Sequence, residues 1–175
     1  MHETPDEMAA LQRLLEASRA ASTDHLRTIV DDDRALGASD LVALLTGMKV
    51  ITVATTTARG EPRISAMDGH FLHGTWSFGT SGSAAKARHL AARPAVSVAH
   101  VDGEALALFS HGDAAPLREG DDAWAGTIEH WTQHYGTSPL TWGDDVVMYR
   151  YRPRWMVGYA ADREGLLSAR GIIGA

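Results

Sequence analysis

Apolar residues recur at helical spacing near the start of the chain, at Met8, Leu11, Leu14 and Leu15, which predicts one apolar helix face. Thr4-Pro5-Asp6-Glu7 supplies the start of that helix: a hydroxyl N-cap, a proline at the first helical position and a glutamate three residues after the cap. A second short helix is expected within residues 23–36, where Leu26, Ile29 and Val30 precede Asp31-Asp32-Asp33; the acidic run reads as a solvated face. Ser39 is positioned to cap a third helix with Leu41, Leu44 and Leu45 on its apolar side and Gly47 at its end.

From Lys49 the pattern changes to short β-branched or alternating runs separated by turns. Strands are predicted at 50–57, 63–72, 75–80, 96–101, 105–117, 146–152 and 155–160, with turns at Ala58-Arg59-Gly60-Glu61, His73-Gly74 and Asp102-Gly103. Helices are expected at 84–92, stopped by Pro94, and at 120–135. Many consecutive hairpin-linked strands and few helices argue for an antiparallel barrel rather than a parallel doubly wound sheet.

The 175 residues fit one domain with an appendage. Residues 1–40 hold nine acids and four bases, whereas the remainder holds thirteen and twelve. The barrel region is thus nearly neutral and has no cationic surplus for nucleic acid, so DNA or RNA binding is not expected. Cysteine is absent, which excludes disulfides, thiolate metal sites and thiol nucleophiles and leaves redox chemistry to a bound cofactor. No apolar run reaches the length of a membrane span, and Met1-His2-Glu3-Thr4-Pro5 lacks the basic and apolar regions of a signal peptide. A soluble cytoplasmic protein is the expectation. Arginine outnumbers lysine fourteen to two, which draws attention to Lys49 and Lys86.

Lys86 lies in the most informative stretch, Phe78-Gly79-Thr80-Ser81-Gly82-Ser83-Ala84-Ala85-Lys86-Ala87-Arg88. A strand ends in a loop of glycine and hydroxyl residues, and a helix begins with lysine in its first turn. A cation there opposes the helix dipole unless an anion lies between them, so the hydroxyls, the backbone N–H groups and Lys86 form a candidate phosphate cradle. A capped helix with a solvated lysine fits the same residues.

Joined to Gly60-Glu61-Pro62-Arg63-Ile64-Ser65 before it and to Leu90-Ala91-Ala92-Arg93-Pro94-Ala95-Val96-Ser97-Val98 after it, this stretch resembles the split-barrel superfamily of pyridoxamine 5′-phosphate oxidase-like proteins over roughly residues 39–160. The resemblance implies a mainly β, antiparallel split β-barrel with flanking helices and an N-terminal helical arm, divided as arm 1–38, cofactor-binding barrel 39–160 and C-terminal tail 161–175. It implies an oxidoreductase acting on a small molecule as a homodimer, with FMN, the deazaflavin coenzyme F-420 or, less often, heme at the subunit interface; a non-enzymatic cofactor carrier or heme-binding protein is the alternative. Carried onto this chain, it implies that Ser65 contacts cofactor phosphate, that Ala66 and Met67 lie along the ring system, that Phe78, Gly79, Thr80 and Ser81 line the far side, and that Lys86 takes the phosphate. Ser65 and Ala85 stand where the oxidases commonly place arginine, so the chain is not expected to be that oxidase itself.

The remaining chemistry-bearing residues are read more plainly. His130 and His134 lie four apart on one predicted helix face, but Trp131-Thr132-Gln133 between them lacks a metallopeptidase glutamate; they read as a solvated or capping pair, and no metal is expected. His70 is a candidate to approach the cofactor or to pack at an edge, and His70 and His111 are the candidate heme ligands. Trp124 and Trp131 share a helix face expected in the core, and Trp142 is placed to cover a planar ligand. No catalytic residue is assigned.

Overall fold

In the computed structural model, which describes residues 2–174, six antiparallel strands form a closed barrel in the order β1-β2-β3-β6-β5-β4. The strands are β1 (Met48–Thr56), β2 (Pro62–Leu72), β3 (Thr75–Ser81), β4 (Ala95–Asp102), β5 (Leu106–Pro116) and β6 (Val146–Ala160). Alternation sends Ile51 and Val53 of β1, Trp76 and Phe78 of β3, Leu108 of β5, and Tyr151 and Met156 of β6 into the barrel, where all seven are fully buried. Burial of each such side chain is worth about 1.5–3 kcal/mol.

Helices cover the outside. In α1 (Pro5–Ala20) the expected capping box forms: Glu7 N–H donates to Thr4 Oγ1 at 3.3 Å, and Thr4 N–H donates to Glu7 Oε2 at 2.8 Å. Leu11 and Leu15 of α1 join the main core. Its other anchor is Ser18, whose hydroxyl accepts from Met156 N–H at 2.9 Å while its carbonyl accepts from Trp155 Nε1–H at 3.1 Å. After α2 (Asp24–Ile29), α3 (Ala38–Leu44) starts at Gly37 rather than Ser39. Gly37 N–H donates to Asp40 Oδ2 and Ala38 N–H to Gln12 Oε1 of α1, so the neighbouring helix supplies a cap that the local sequence does not reveal. Between β3 and β4 lies α4 (Ala85–Ala92). Over the outer faces of β2, β3 and β6, α5 (Trp124–Tyr135) buries Trp131 with Leu117 and Met148 in a second apolar cluster. Beyond β6, α6 (Arg163–Ala169) contributes Leu167 to the main core.

The last strand differs from the sequence expectation of two segments. It runs unbroken through Pro153 because the β5–β6 register shifts between His111 and Gly112, forming a bulge that relieves the ladder of the missing proline N–H. Gly112 makes room for it: a Cβ there would lie 2.1 Å from the Arg152 carbonyl oxygen.

One ladder ends early. β2 pairs with β1 along residues 62–70, but β2 and β3 pair only from Gly69/Phe78 to Leu72/Thr75. Residues 62–68 and 79–81 therefore diverge and leave a split in the wall between β2 and β3.

Candidate functional site

The split brings the two groups of sequence-designated residues to its opposite lips. Ser65, Ala66 and Met67 lie on the β2 lip, and Gly79, Thr80 and Ser81 on the β3 lip. Alternation separates neighbours on each lip. Ser65 and Met67 pair with Val53 and Ile51 and share their inward face, whereas Ala66 faces outward and is exposed. Met67 is 8% exposed, and Phe78 is fully buried with its ring stacked on Tyr149 at 5.5 Å. Of these residues, Ala66 is exposed, and Ser65 and the Gly79–Ser81 segment are half-buried. Gly79 leaves room for the Met148 side chain: a Cβ there would meet Met148 Sδ at 2.7 Å.

The β3 lip runs directly into α4. Ala84 is the N-cap and gives no side-chain cap, and half-buried Lys86 in the first turn makes no ion pair among the described residues. α4 is tied to the barrel by Thr55 Oγ1 to His89 Nδ1 at 3.0 Å and by Arg93 Nε–H donating to the Thr56 carbonyl at 2.8 Å. The hydroxyl loop already holds an anion of the protein's own. Ser81 Oγ–H donates to Asp145 Oδ2 at 2.8 Å, and Ser83 N–H donates to the same oxygen at 2.9 Å. Gly82 N–H donates to the Asp145 carbonyl at 2.6 Å, which staples the two loops together. The Ser81 hydroxyl, followed by the Ser83 amide, holds the Asp145 carboxyl below its ordinary range. Ser81 and Ser83 are thus built to solvate negative charge, and a phosphate using both must displace Asp145.

On the outer face of β2, Asp68 follows Ala66 by two residues and is exposed. Tyr135 Oη–H of α5 donates to Asp68 Oδ2 at 3.0 Å, and burial together with that carboxylate pushes the phenol up to about 12. Behind it lies His70, fully buried, with Nε2 3.4 Å from Tyr135 Oη and Nδ1 2.9 Å from His130 Nε2. Burial, then the neighbouring His130 and His134, lowers His70 to about 3, so it is neutral at physiological pH. The ring of His134 lies 4.8 Å from that of His70. Of the pair expected to be solvated or capping, His134 is exposed, whereas His130 is half-buried against His70. The four-residue spacing identified their shared face, but the nonlocal contact of His130 with His70 left no local signal. Among the described residues, no group of three or more His, Asp or Glu side chains has the geometry of a metal site.

Trp131 is buried and donates its indole N–H to Ser77 Oγ at 3.0 Å. Trp142 is 45% exposed, rests on Tyr135 with ring centroids 4.9 Å apart, and donates to Thr137 Oγ1. His111 projects from the outer face of β5, stacked on Trp155 at 4.9 Å, with Nδ1 2.8 Å from Ser97 Oγ. No helix among the described residues is long and apolar enough to cross a membrane.

The chain matches no family model and no curated protein, but solved structures share its architecture. A conserved hypothetical protein from Mycobacterium tuberculosis superposes with a TM-score of 0.64 at 19% identity, over 77% of this chain and 91% of that one. The heme storage protein HutZ from Vibrio cholerae gives 0.54 at 21% identity, over 63% and 86%. A FAD-binding protein from Mesorhizobium loti gives 0.54 at 18% identity, over 72% and 94%. At these identities the likeness is one of fold: the chain is a split barrel.

Proposed function

We propose that the protein binds a flavin-type cofactor, FMN or the deazaflavin coenzyme F-420, in the split between β2 and β3 and acts as an oxidoreductase on a small molecule. The observation that carries this reading is the geometry of the split. Two diverging strand segments, 62–68 and 79–81, border it, and one lip continues into a helix whose first turn carries Lys86 without an ionic partner among the described residues. A flat ring suits the slot between the lips, with Ala66 on one side and Gly79 and Thr80 on the other. Lys86 and the N–H groups at the start of α4 suit a phosphate, provided that Asp145 yields or the phosphate lies beside it. A bound flavin-type ring supplies hydride or electrons; the protein supplies position, an anion site and the polar groups at Asp68 and Tyr135. The FAD-binding structural neighbour supports this reading.

The working unit in this proposal is a homodimer. Met48, Val50, Val101 and Phe109 are exposed along the outer faces of β1, β4 and β5, with Val50 56% and Val101 53% accessible. They form an apolar strip suited to a second copy. Sedimentation equilibrium of the wild type and of Val50→Lys with Val101→Lys tests it; identical monomer masses would overturn the dimer.

Heme is the second reading, and one observation favours it. Ser97 occupies Nδ1 of His111, leaving Nε2 for an outward ligand, and the heme storage protein shares the fold. His70 is unsuited to that role, since it is buried and both of its nitrogens are engaged. The absorption spectrum of the purified protein, and of the protein titrated with FMN, F-420 and hemin, decides among them. Flavin or deazaflavin bands with saturable binding support the first reading. A Soret band lost in His111→Ala, without binding of either flavin-type cofactor, would replace it.

A further inference from the structure

His130, His70, Tyr135 and Asp68 form one continuous hydrogen-bonded chain running from beneath α5 to the β2 lip. Its direction follows from the chemistry of its members. A carboxylate only accepts, so Tyr135 donates to Asp68. The phenol oxygen then accepts from His70, which places the His70 proton on Nε2. A neutral imidazole with Nε2–H has a bare Nδ1, which must accept from His130 Nε2–H. All three bonds therefore point the same way, toward Asp68.

Both ends reach water, Tyr135 is half-buried, and His70 between them is sealed from it. Asp68 is exposed, whereas His70 is fully buried, with the Trp131 ring 4.5 Å away. At the other end, half-buried His130 lines a cavity of about 50 Å³ with His2 and Glu3, which has room for water. The rings of His2 and His134 and, across the β2–β3 turn, His73 paired with Glu7 are the other titratable groups facing this end.

We propose that this chain is a proton relay that carries protons from the His2–His130 cavity to Asp68 on the lip of the split. Water protonates His130 at Nδ1. The His130 Nε2–H bond then breaks as His70 gains a proton at Nδ1, His70 Nε2–H passes to the Tyr135 oxygen, and Tyr135 passes its own proton to Asp68 Oδ2. One proton enters from water, one stands on Asp68, and His130 and His70 each change tautomer without changing charge, both rings returning to their starting tautomer before the next transfer. Asp68 then releases that proton to the acceptor atom of a substrate in the split. This last transfer rests on the reading of the split as the reaction site; the relay itself does not. A purely structural tie between α5 and the barrel would need only one bond to His70, whereas here both of its nitrogens are engaged in a single direction.

Hydrogen exchange in the full-length ¹⁵N-labelled protein, without cofactor, tests the relay. The indole proton of Trp131 is the control: it is buried beside His70 but donates outside the chain, to Ser77, so it exchanges only when the structure opens. The relay predicts that His70 carries its proton on Nε2 and that this proton exchanges at least about tenfold faster than the Trp131 indole proton. His130→Phe and Tyr135→Phe should each bring the His70 rate down to that of the control. Equal rates in the wild type, an Nδ1–H tautomer of His70, or fast exchange that survives both substitutions would overturn the proposal. Should His130→Phe fail to fold, Tyr135→Phe and the wild-type comparison still decide it. Because no cofactor is present, failure of the relay and failure of FMN binding are read in separate experiments.

Discussion

Lys86 and Asp145 set opposite charges at the start of α4, and in the proposed anion site their balance would decide what binds. Exchange of Lys86 for alanine removes a charge-assisted contact worth roughly 1.5–3 kcal/mol, so titration should show FMN affinity falling by about tenfold or more. An unchanged dissociation constant would remove Lys86 from the site. Asp145 should act in reverse, since its carboxylate occupies the Ser81 and Ser83 donors. Asp145→Asn should tighten FMN while leaving riboflavin, which lacks the phosphate, unchanged; equal effects on both ligands would show that Asp145 does not compete with phosphate. The sequence made Lys86 and the hydroxyl loop legible because strand end, glycine loop and helix start are contiguous. Asp145 was invisible there, sixty-two residues from Ser83, because only the folded chain brings the two loops together. Asp68 and Tyr135 were missed for the same reason: neither carries a local signature, and their contact spans sixty-seven positions.

The elements show the same division between local and nonlocal causes. Capping and periodicity identified α1, and β-branched runs bounded by glycine turns identified β1 to β5, because these signals act within a few residues. The cap of α3 depends on Gln12 of another helix, and the continuity of β6 through Pro153 depends on a bulge formed with β5. That bulge yields a prediction. In Gly112→Ala the new methyl would lie 2.1 Å from the Arg152 carbonyl oxygen, with the Pro153 Cα 2.9 Å away. Backbone on both strands must then move, at a cost of about 1–3 kcal/mol. Urea denaturation should show a lower midpoint with an unchanged slope, and wild-type stability in this variant would mean that the bulge accommodates a side chain.

At the scale of the molecule, the two apolar clusters meet where α5 closes over β2 and β3, and His70 lies at that junction, fully buried and held to about 3 by burial and by its histidine neighbours. Its ordinary value is 6.5, so between 6.5 and 3 the unfolded chain takes up a proton that the folded chain refuses. Stability therefore rises with pH through that window and is lost as the solution is acidified from about 6.5 downward. The slope contributed by this one group approaches about 1.4 kcal/mol per pH unit. His130 is lowered as well, chiefly by its own burial and then by His2, and it adds to the loss with the same sign. Asp145 does too, but only once the pH falls below its ordinary 3.8. Because the carboxylate enters so late, the histidines dominate the region between about pH 6.5 and pH 4.5. Urea unfolding at about pH 7 and pH 5 should accordingly show a marked drop in stability at the lower pH, and His70→Gln, which keeps a polar side chain but cannot titrate, should flatten that drop while lowering stability at pH 7. A wild-type midpoint that does not move between the two pH values would show that α5 opens to let His70 protonate at little cost, and hence that the second cluster is not the firmly packed lid its buried Trp131 implies.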